Sequence, residues 1–339
     1  MMYFYSAFLL IFSIVVTTSA FGQAPQMRGI SLPLYAYHED YDYQNEIAEI
    51  AATGANSLNI SFSLLQENAE STLMAKRKGR SPSDLAIRRT IQQAKAQKLT
   101  VFVLPLVLLA DPREGDWRGN LQPTNRDDWF ANYGFWIKHY AKMCEEEGVD
   151  WFGVGSEFAS LENETEQWKN IIQETRNIYS GKLLYSCNWD HLHGPEAWWN
   201  ELDAVGLSSY YELTKDFNAP QAELNESWLT WKEFILNWKA ESGVRVPLVF
   251  TEVGYPSIDG GAVYPWNYTL ENPADWEEQE MAYRAFIQTW DAEPDVLGVY
   301  FYKWKSFSDE SVSYSPKGKP AEALIRGWFA TPIVESTFK

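Results

Sequence analysis

Two glutamates stand where apolar segments of the chain end, and a carboxylate in such a position suggests chemistry. Glu157 closes the segment WFGVGSE (151–157), and Glu252 follows the apolar run from Val246 to Phe250. Moving a carboxylate out of water is unfavourable unless another group compensates it, so an acid at the end of a buried strand is expected to have a use. The alternative is that each glutamate forms a salt bridge or caps a loop.

A pair of facing carboxylates is the arrangement that glycoside hydrolysis requires. Mutual repulsion and unequal burial leave a proton on one acid while the other stays ionised. The protonated acid can protonate the leaving oxygen, and the carboxylate can attack the anomeric carbon. A separation of about 5 Å between the two carboxyl groups gives retention of configuration, whereas a wider gap admits a water molecule and gives inversion.

Eight strand-like segments recur along the chain, and they are the elements that must position this pair. Most are continuous apolar runs rather than alternating ones, which is typical of parallel strands covered on both faces. They are residues 27–34, 56–63, 99–109, 150–157, 182–188, 203–210, 246–254 and 296–304.

Helical periodicity separates these strands, and eight strand–helix units predict an α/β fold, a single (β/α)8 TIM barrel over residues 25–339. A doubly wound open sheet is the alternative. The active site of a TIM barrel lies at the C-terminal ends of its strands. Glu157 would end the fourth strand and Glu252 the seventh, so their side chains can converge across the barrel mouth. The clearest helical segments are 44–54, 81–99, 127–150, 274–292 and 319–329.

The composition favours some partners and argues against others. Aromatic residues make up 16% of the chain, with 16 Trp and 19 Tyr, so some rings should be displayed to bind a flat, amphipathic group such as a sugar. The net charge of −18 argues against nucleic acid as a partner. The two cysteines, Cys144 and Cys187, are expected to be free and mostly buried. Four His without clustered Cys give no zinc pattern, so we expect neither a metal nor a cofactor.

The N-terminal segment predicts export of the protein. An apolar run from Phe8 to Val16 is too short for a comfortable membrane span, and Thr18, Ser19 and Ala20 offer small residues for cleavage. We therefore expect residues 1–24 to be a signal peptide cleaved near 20–24, and the mature protein to be secreted or periplasmic, with no membrane contact. An uncleaved membrane anchor is the alternative. The sequence leaves the oligomeric state open.

Six segments of the chain together carry a resemblance to a known family. The chain resembles the retaining (β/α)8 glycosidases, and more narrowly the β-mannanases of glycoside hydrolase family 113. The resemblance implies a retaining β-glycosidase, and more specifically an endo-acting β-1,4-mannanase. The segments are WRGNLQP (117–123), DDWFANYGFWIKHYAKMCEEEGVDWFGVGSEF (127–158), LLYSCNWDH (183–191), DAVGLSSYYEL (203–213), FTEVGYPS (250–257) and YFYKWKSF (300–307).

The resemblance also implies roles for single residues around the bond that is cleaved. Glu157 would be the acid/base and Glu252 the nucleophile. Tyr210, or failing that Tyr211, would donate a hydrogen bond to the nucleophile and keep it ionised. Trp304 would form the floor of the sugar site, although an indole in an apolar strand could equally be part of the core.

Four further residues would contact the substrate if the resemblance holds. Asn188 and Trp189 would line the cleft, and Trp117 and Arg118 would reach substrate hydroxyls; Arg118 could instead pair with a nearby acid. The alternative functions are another β-glycoside specificity, either glucan hydrolysis or exo action on oligosaccharides, and a non-catalytic carbohydrate-binding barrel. The basic segment 75–84 could meet an acidic substituent of a polysaccharide, but a solvated loop is the simpler interpretation.

Overall fold

Eight parallel strands form a closed barrel, which confirms the predicted (β/α)8 fold. The structure, a computed structural model, describes residues 26–36, 38–192, 197–305 and 312–333. Each strand pairs in parallel with its neighbours in sequence, and the barrel closes because the first strand pairs with both the second and the eighth. The strands are β1 Met27–Pro33, β2 Ser57–Gln66, β3 Thr100–Leu109, β4 Trp151–Ser156, β5 Lys182–Asn188, β6 Ala204–Ser209, β7 Leu248–Val253 and β8 Val296–Tyr302.

Seven α-helices surround the barrel in the described part of the chain, one fewer than the eight strand–helix units predict. After β5 the described residues contain only a 3-10 helix, Trp199–Glu201. Trp198 and Trp199 are fully buried there, so two indoles supply the apolar cover that a helix gives elsewhere. The helices are α1 Gln44–Ala52, α2 Asp84–Ala96, α3 Arg126–Glu147, α4 Thr165–Arg176, α5 Gln221–Glu241, α6 Trp276–Trp290 and α7 Pro320–Phe329.

Local capping chemistry explains where several helices begin and end. The Ser83 hydroxyl accepts a hydrogen bond from the amide of Ala86 at 3.1 Å, so Ser83 is the N-cap of α2. Gly148 ends α3 in the left-handed conformation with φ of 62°, which a glycine adopts without steric penalty.

Two separate apolar clusters hold the barrel together. The larger lies between the strands and the helices and includes the buried Cys144 and Cys187, both free as predicted. The smaller is contributed by strand residues alone and fills the barrel interior. Its members are Met27, Phe102, Leu104, Leu106, Trp151, Leu184, Ala204, Val249 and Tyr300.

The predicted signal peptide, residues 1–24, lies outside the described residues. Among the helices that the structure describes, none combines the length and the apolar character needed to cross a membrane.

Candidate active site

Both glutamates follow an irregularity in strand pairing that turns them toward the barrel mouth. In β7, Phe250 pairs with Leu207, and Glu252 pairs with the next residue of β6, Ser208, so Thr251 is an extra residue. Without this bulge, Glu252 would share the outward direction of Phe250, whose ring packs against α6. A comparable shift occurs in β4, where the pairing with β5 changes between Gly153 and Ser156.

Glu157 adopts a backbone conformation that is unusual for a residue with a side chain. Its φ of 59° lies in the left-handed region, and such strain persists only where the surroundings fix it. Its amide donates to the Ser186 carbonyl at 2.8 Å, and the amide of Phe158 donates to the Tyr185 hydroxyl at 2.9 Å. That hydroxyl in turn donates to Glu162 at 2.8 Å. Tyr185 on β5 therefore anchors the chain immediately after Glu157.

Ser208 on β6 connects the two glutamates. Its hydroxyl donates a hydrogen bond to the Glu157 carboxylate. Its Cα is the pairing partner of the Glu252 Cα in β7, and paired strands lie about 4.8 Å apart. Both glutamates are only 4% exposed. The structure therefore brings together, at one end of the barrel, two carboxylates that are 95 positions apart in the sequence.

Each carboxylate has a dedicated partner of a different kind. The Arg118 guanidinium forms an ion pair with Glu157. The Tyr210 hydroxyl donates a hydrogen bond to Glu252, as predicted for the tyrosine that follows β6. Burial and the neighbouring Glu252 raise the pKa of Tyr210 well above its usual value, so this tyrosine keeps its proton and acts as a donor.

Burial and the charge of Glu157 raise the pKa of Glu252 from 4.5 to about 7. The positive charge of Arg118, the hydrogen bond from Tyr210 and the charge of Lys303 all act in the opposite direction. Glu252 therefore keeps its proton at mildly acidic pH, so the site holds one proton that an acid-assisted displacement can use. Because Arg118 contacts Glu157, the proton rests on Glu252 while that ion pair is intact.

A cavity of about 1380 Å³ opens above the pair. Five of the predicted substrate-binding residues line it: Trp117, Arg118, Asn188, Trp189 and Tyr210. The sequence analysis did not select several others. Tyr35, Tyr302 and Tyr314 supply rings, while Asp190, Glu212, Lys303 and Lys305 supply charge.

Comparisons with known proteins identify the family of this chain. The model of Glycoside Hydrolase Family 113 matches residues 35–317, most of the chain. The chain belongs to glycoside hydrolase family 113. It is therefore a glycoside hydrolase. A search of curated proteins returned no match.

Solved structures share the fold of this family 113 chain. The GH113 β-mannanase AaManA from Alicyclobacillus acidocaldarius, in complex with ManMIm, is 24% identical to this chain and superposes with a TM-score of 0.79. The match covers 92% of this chain and 98% of the AaManA chain. A GH113 β-1,4-mannanase is 23% identical, with a TM-score of 0.77 and coverages of 91% and 100%. A β-glucuronidase from Ruminococcus gnavus is 13% identical, with a TM-score of 0.59, and half of its chain is covered.

Two predicted substrate contacts of the family 113 chain are corrected by the structure. Trp304 is 2% exposed, does not line the cavity, and donates its indole N–H to Glu49 of α1 at 2.8 Å. The reason is that β8 ends at Tyr302, so Trp304 lies beyond the strand and its ring turns toward the helix layer. Tyr302 lines the cavity instead. Tyr211, the alternative to Tyr210, is completely buried against Trp228 and Trp231.

Arg118 begins a short 3-10 helix, Arg118–Asn120, after β3, and its charged partner is a protein side chain. Burial lowers the pKa of the Arg118 guanidinium, but the charges of Glu157 and Glu252 raise it by more. Arg118 is therefore a permanent cation. The alternative interpretation, in which Arg118 pairs with a nearby acid, is therefore confirmed, and that acid is Glu157.

One group of three acids in the described residues has the spacing of metal ligands, but two of its carboxylates already accept backbone amides. Asp259, Asp275 and Glu278 lie within 4.8 Å of one another. The Glu278 carboxylate accepts the amides of Gly260 and Ala262 at 2.8 and 2.7 Å, and Asp275 caps α6 by accepting the amide of Glu278 at 2.8 Å. These acids therefore fix the loop between β7 and α6.

Proposed function

We propose that the protein is a secreted retaining glycosidase that cleaves internal bonds of β-1,4-mannan, with Glu252 as nucleophile and Glu157 as acid/base. Membership of family 113 and the titles of the two similar β-mannanase structures support the substrate class. The observation that carries the proposal is the convergence of Glu157 and Glu252 around Ser208 at the floor of one cavity.

The reaction proceeds by two displacements at one anomeric carbon. First, the Glu252 carboxylate attacks that carbon and forms an ester bond, the bond to the leaving oxygen breaks, and Glu157 gives its proton to that oxygen. Next, water attacks the same carbon while the Glu157 carboxylate takes a proton from it, and the ester bond breaks to release Glu252 as a carboxylate. Two inversions at the carbon give net retention of configuration.

Arg118 has a different effect on each of these steps. Its ion pair stabilises the ionised form of Glu157, which is the form that removes a proton from water in the second step. The first step needs Glu157 protonated, so Arg118 must release that carboxylate as the sugar enters.

The neighbours of Glu252 favour its role as nucleophile. The Tyr210 hydroxyl and the Lys303 ammonium both lower its pKa, so they stabilise the carboxylate that attacks. Lys303 is held with its ammonium 5.2 Å from the ring centroid of Tyr302. Among the described residues it forms no ion pair within 4.0 Å.

Trapping with a fluorinated glycoside tests the proposal. The protein is incubated with an activated 2-deoxy-2-fluoro-β-mannoside, digested, and analysed by mass spectrometry. We expect the label on Glu252, and proton NMR of mannan hydrolysis should show the β-anomer first. A label on another acid would overturn the assigned roles, and initial release of the α-anomer would overturn the double displacement.

Parallel assays on mannan and glucan oligomers separate the alternative functions. The unmutated protein, Glu157→Ala and Glu252→Ala are compared, with Glu271→Ala as a control acid at the cavity wall. Faster hydrolysis of glucan than of mannan would show that glucan, and not mannan, is the substrate. Binding of oligomers by the unmutated protein without any product would favour a non-catalytic carbohydrate-binding barrel.

Export stays a prediction from the composition of residues 1–24. N-terminal sequencing of the protein recovered outside the cytoplasm tests it. A mature chain that begins near residues 20–24 supports secretion, whereas a membrane-bound chain that retains Met1 favours the anchor.

A further inference from the structure

An exposed group of rings follows Glu252 in the loop between β7 and α6. Tyr264, Trp266 and Tyr268 are 38%, 44% and 84% exposed, and we call residues 264–268 the ring segment. By contrast, six tryptophans elsewhere in the chain are fully buried. Exposed aromatic rings next to a cleft indicate a binding surface.

The ring segment is part of the wall of the catalytic cavity. Trp266 and Tyr268 both line it, together with Asn267 between them. Two contacts fix the segment in place. The Tyr314 hydroxyl donates to the Pro265 carbonyl at 2.6 Å, and the Trp266 indole N–H donates to Glu212 at 3.2 Å. The rings are therefore positioned before any ligand arrives, which reduces the ordering cost of binding.

The roles of the two glutamates indicate which side of the cavity binds the retained part of the substrate. The ring segment is carried by the loop that leaves β7, on the side of Glu252. Trp117 and Trp189 lie after β3 and β5, on either side of β4 and Glu157. In a double displacement the nucleophile bonds to the sugar that is retained, and the acid serves the leaving group. The ring segment is thus on the side of the retained sugar.

The size of the cavity indicates a ligand longer than one sugar. Its volume of about 1380 Å³ exceeds the range of roughly 300 to 1,000 Å³ that is common for small-molecule sites. A polysaccharide held at the cleaved bond must continue past the nucleophile, and its next sugars meet the wall that carries Trp266 and Tyr268. Sugar rings stack on indole and phenol faces because both surfaces are flat and partly apolar.

We propose that Trp266 and Tyr268 form a binding platform for the glycone part of a β-linked polysaccharide, several sugars from the cleaved bond. The platform rests on the proposed hydrolase function. It makes the enzyme prefer chains with several sugars on the retained side, which is the behaviour of an endo-acting enzyme. Glu212 acts as a positioning residue, because it accepts the hydrogen bond that orients the Trp266 indole.

Aryl β-mannosides with one to five sugars on the retained side test the platform directly. All carry the same leaving group, so only the glycone length changes. Trp266→Ala and Tyr268→Ala should each lower kcat/KM roughly two- to tenfold for the long members and leave the one-sugar member unchanged. The matched control is Trp276→Ala, because Trp276 is 42% exposed but does not line the cavity. Equal losses at every glycone length would overturn the proposal.

A binding measurement separates failure of the platform from failure of the proposed function. In the Glu157→Ala background, titration calorimetry measures the affinity for mannan and glucan oligosaccharides of increasing length. Affinity should rise with length, and Trp266→Ala should remove most of that rise. If the unmutated protein hydrolyses no mannoside, the proposed substrate is refuted. The binding of oligosaccharides would still show whether Trp266 and Tyr268 hold sugars. A length dependence that Trp266→Ala leaves intact, or no binding of any oligosaccharide, would refute the platform.

Discussion

Replacement of Arg118 should move the pH profile of the enzyme without removing its catalytic groups. In Arg118→Gln the carboxylate pair loses its nearest cation, because Arg118 contacts Glu157 and also lowers the pKa of Glu252. The pKa of Glu252 therefore rises further, and the Glu157 carboxylate loses the cation that stabilises its ionised form. Since the first displacement needs one proton on the pair, the whole bell-shaped profile of kcat/KM should shift upward.

The burial of the ion pair sets the size of the shift. The side chains of Arg118 and Glu157 are 19% and 5% exposed, so solvent screens them only partly. Two unit charges about 4 Å apart interact by about 4 kcal/mol at an effective dielectric constant of 20. At 1.36 kcal/mol per pH unit this is an upper limit of about 3 units. Carboxyl groups that lose a neighbouring arginine typically move by about 1 to 3 units, so we expect a shift in that range.

The assay is the pH dependence of kcat/KM for a mannan oligosaccharide, with circular dichroism to confirm that the variant is folded. Arg118→Lys keeps the charge and should shift the profile much less. Arg80→Ala removes an exposed cation elsewhere on the cavity wall and should leave the profile where it is. A folded Arg118→Gln variant whose profile coincides with that of the unmutated enzyme would show that Arg118 does not control the protonation of the pair.

Three further changes test the neighbours of the glutamates. In the folded state the pKa of Glu252 is raised from 4.5 to about 7, so its ionisation destabilises the protein as pH rises through this window, by up to about 3 kcal/mol. Glu252→Gln should therefore be more stable than the unmutated protein in urea unfolding at about pH 8.5, and similar to it below about pH 4; equal differences at both values would contradict this. Tyr210→Phe removes the hydrogen bond to Glu252 and should lower kcat/KM roughly tenfold to hundredfold, with the acidic limb at higher pH. Tyr185→Phe removes the contacts of its hydroxyl with Phe158 and Glu162, and should cost about 1 to 3 kcal/mol of stability and lower kcat more than it changes KM; unfolding and steady-state kinetics measure both.

The strands could be predicted from the sequence because both of their faces are buried. The predicted run 182–188 coincides with β5, and the runs 27–34 and 99–109 differ from β1 and β3 by one residue at one end. A continuous apolar segment needs no knowledge of its partner strand to be recognised. After β5 the described residues form a short 3-10 helix instead of an α-helix, and two buried tryptophans cover that part of the barrel.

The direction of the glutamate side chains could not be predicted in the same way. Alternation along β7 places Phe250 and Glu252 on the same face, and Phe250 packs outward. The bulge at Thr251 reverses the direction of Glu252, and it is defined by the pairing of β7 with its neighbours β6 and β8 rather than by the sequence of β7 alone. The left-handed backbone of Glu157 has no local signature either, since it depends on Ser186 and Tyr185 from the neighbouring strand.

The abundance of tryptophan indicated a sugar-binding surface, but the structure divides the aromatic residues by chemistry. The indoles of Trp168, Trp228 and Trp290 are buried in the layer around the barrel, where large apolar area stabilises packing. The rings beside the carboxylates are mostly tyrosines, Tyr210 and Tyr302 among them, because a phenol can face a sugar and also donate a hydrogen bond to an acid. Trp266 is an exposed indole of the cavity wall, it lies in a loop, and its N–H donates to Glu212 rather than to either glutamate of the catalytic pair. Aromatic content therefore predicts a sugar-binding surface, whereas only the structure shows that the ring which contacts a reacting carboxylate is a tyrosine, Tyr210.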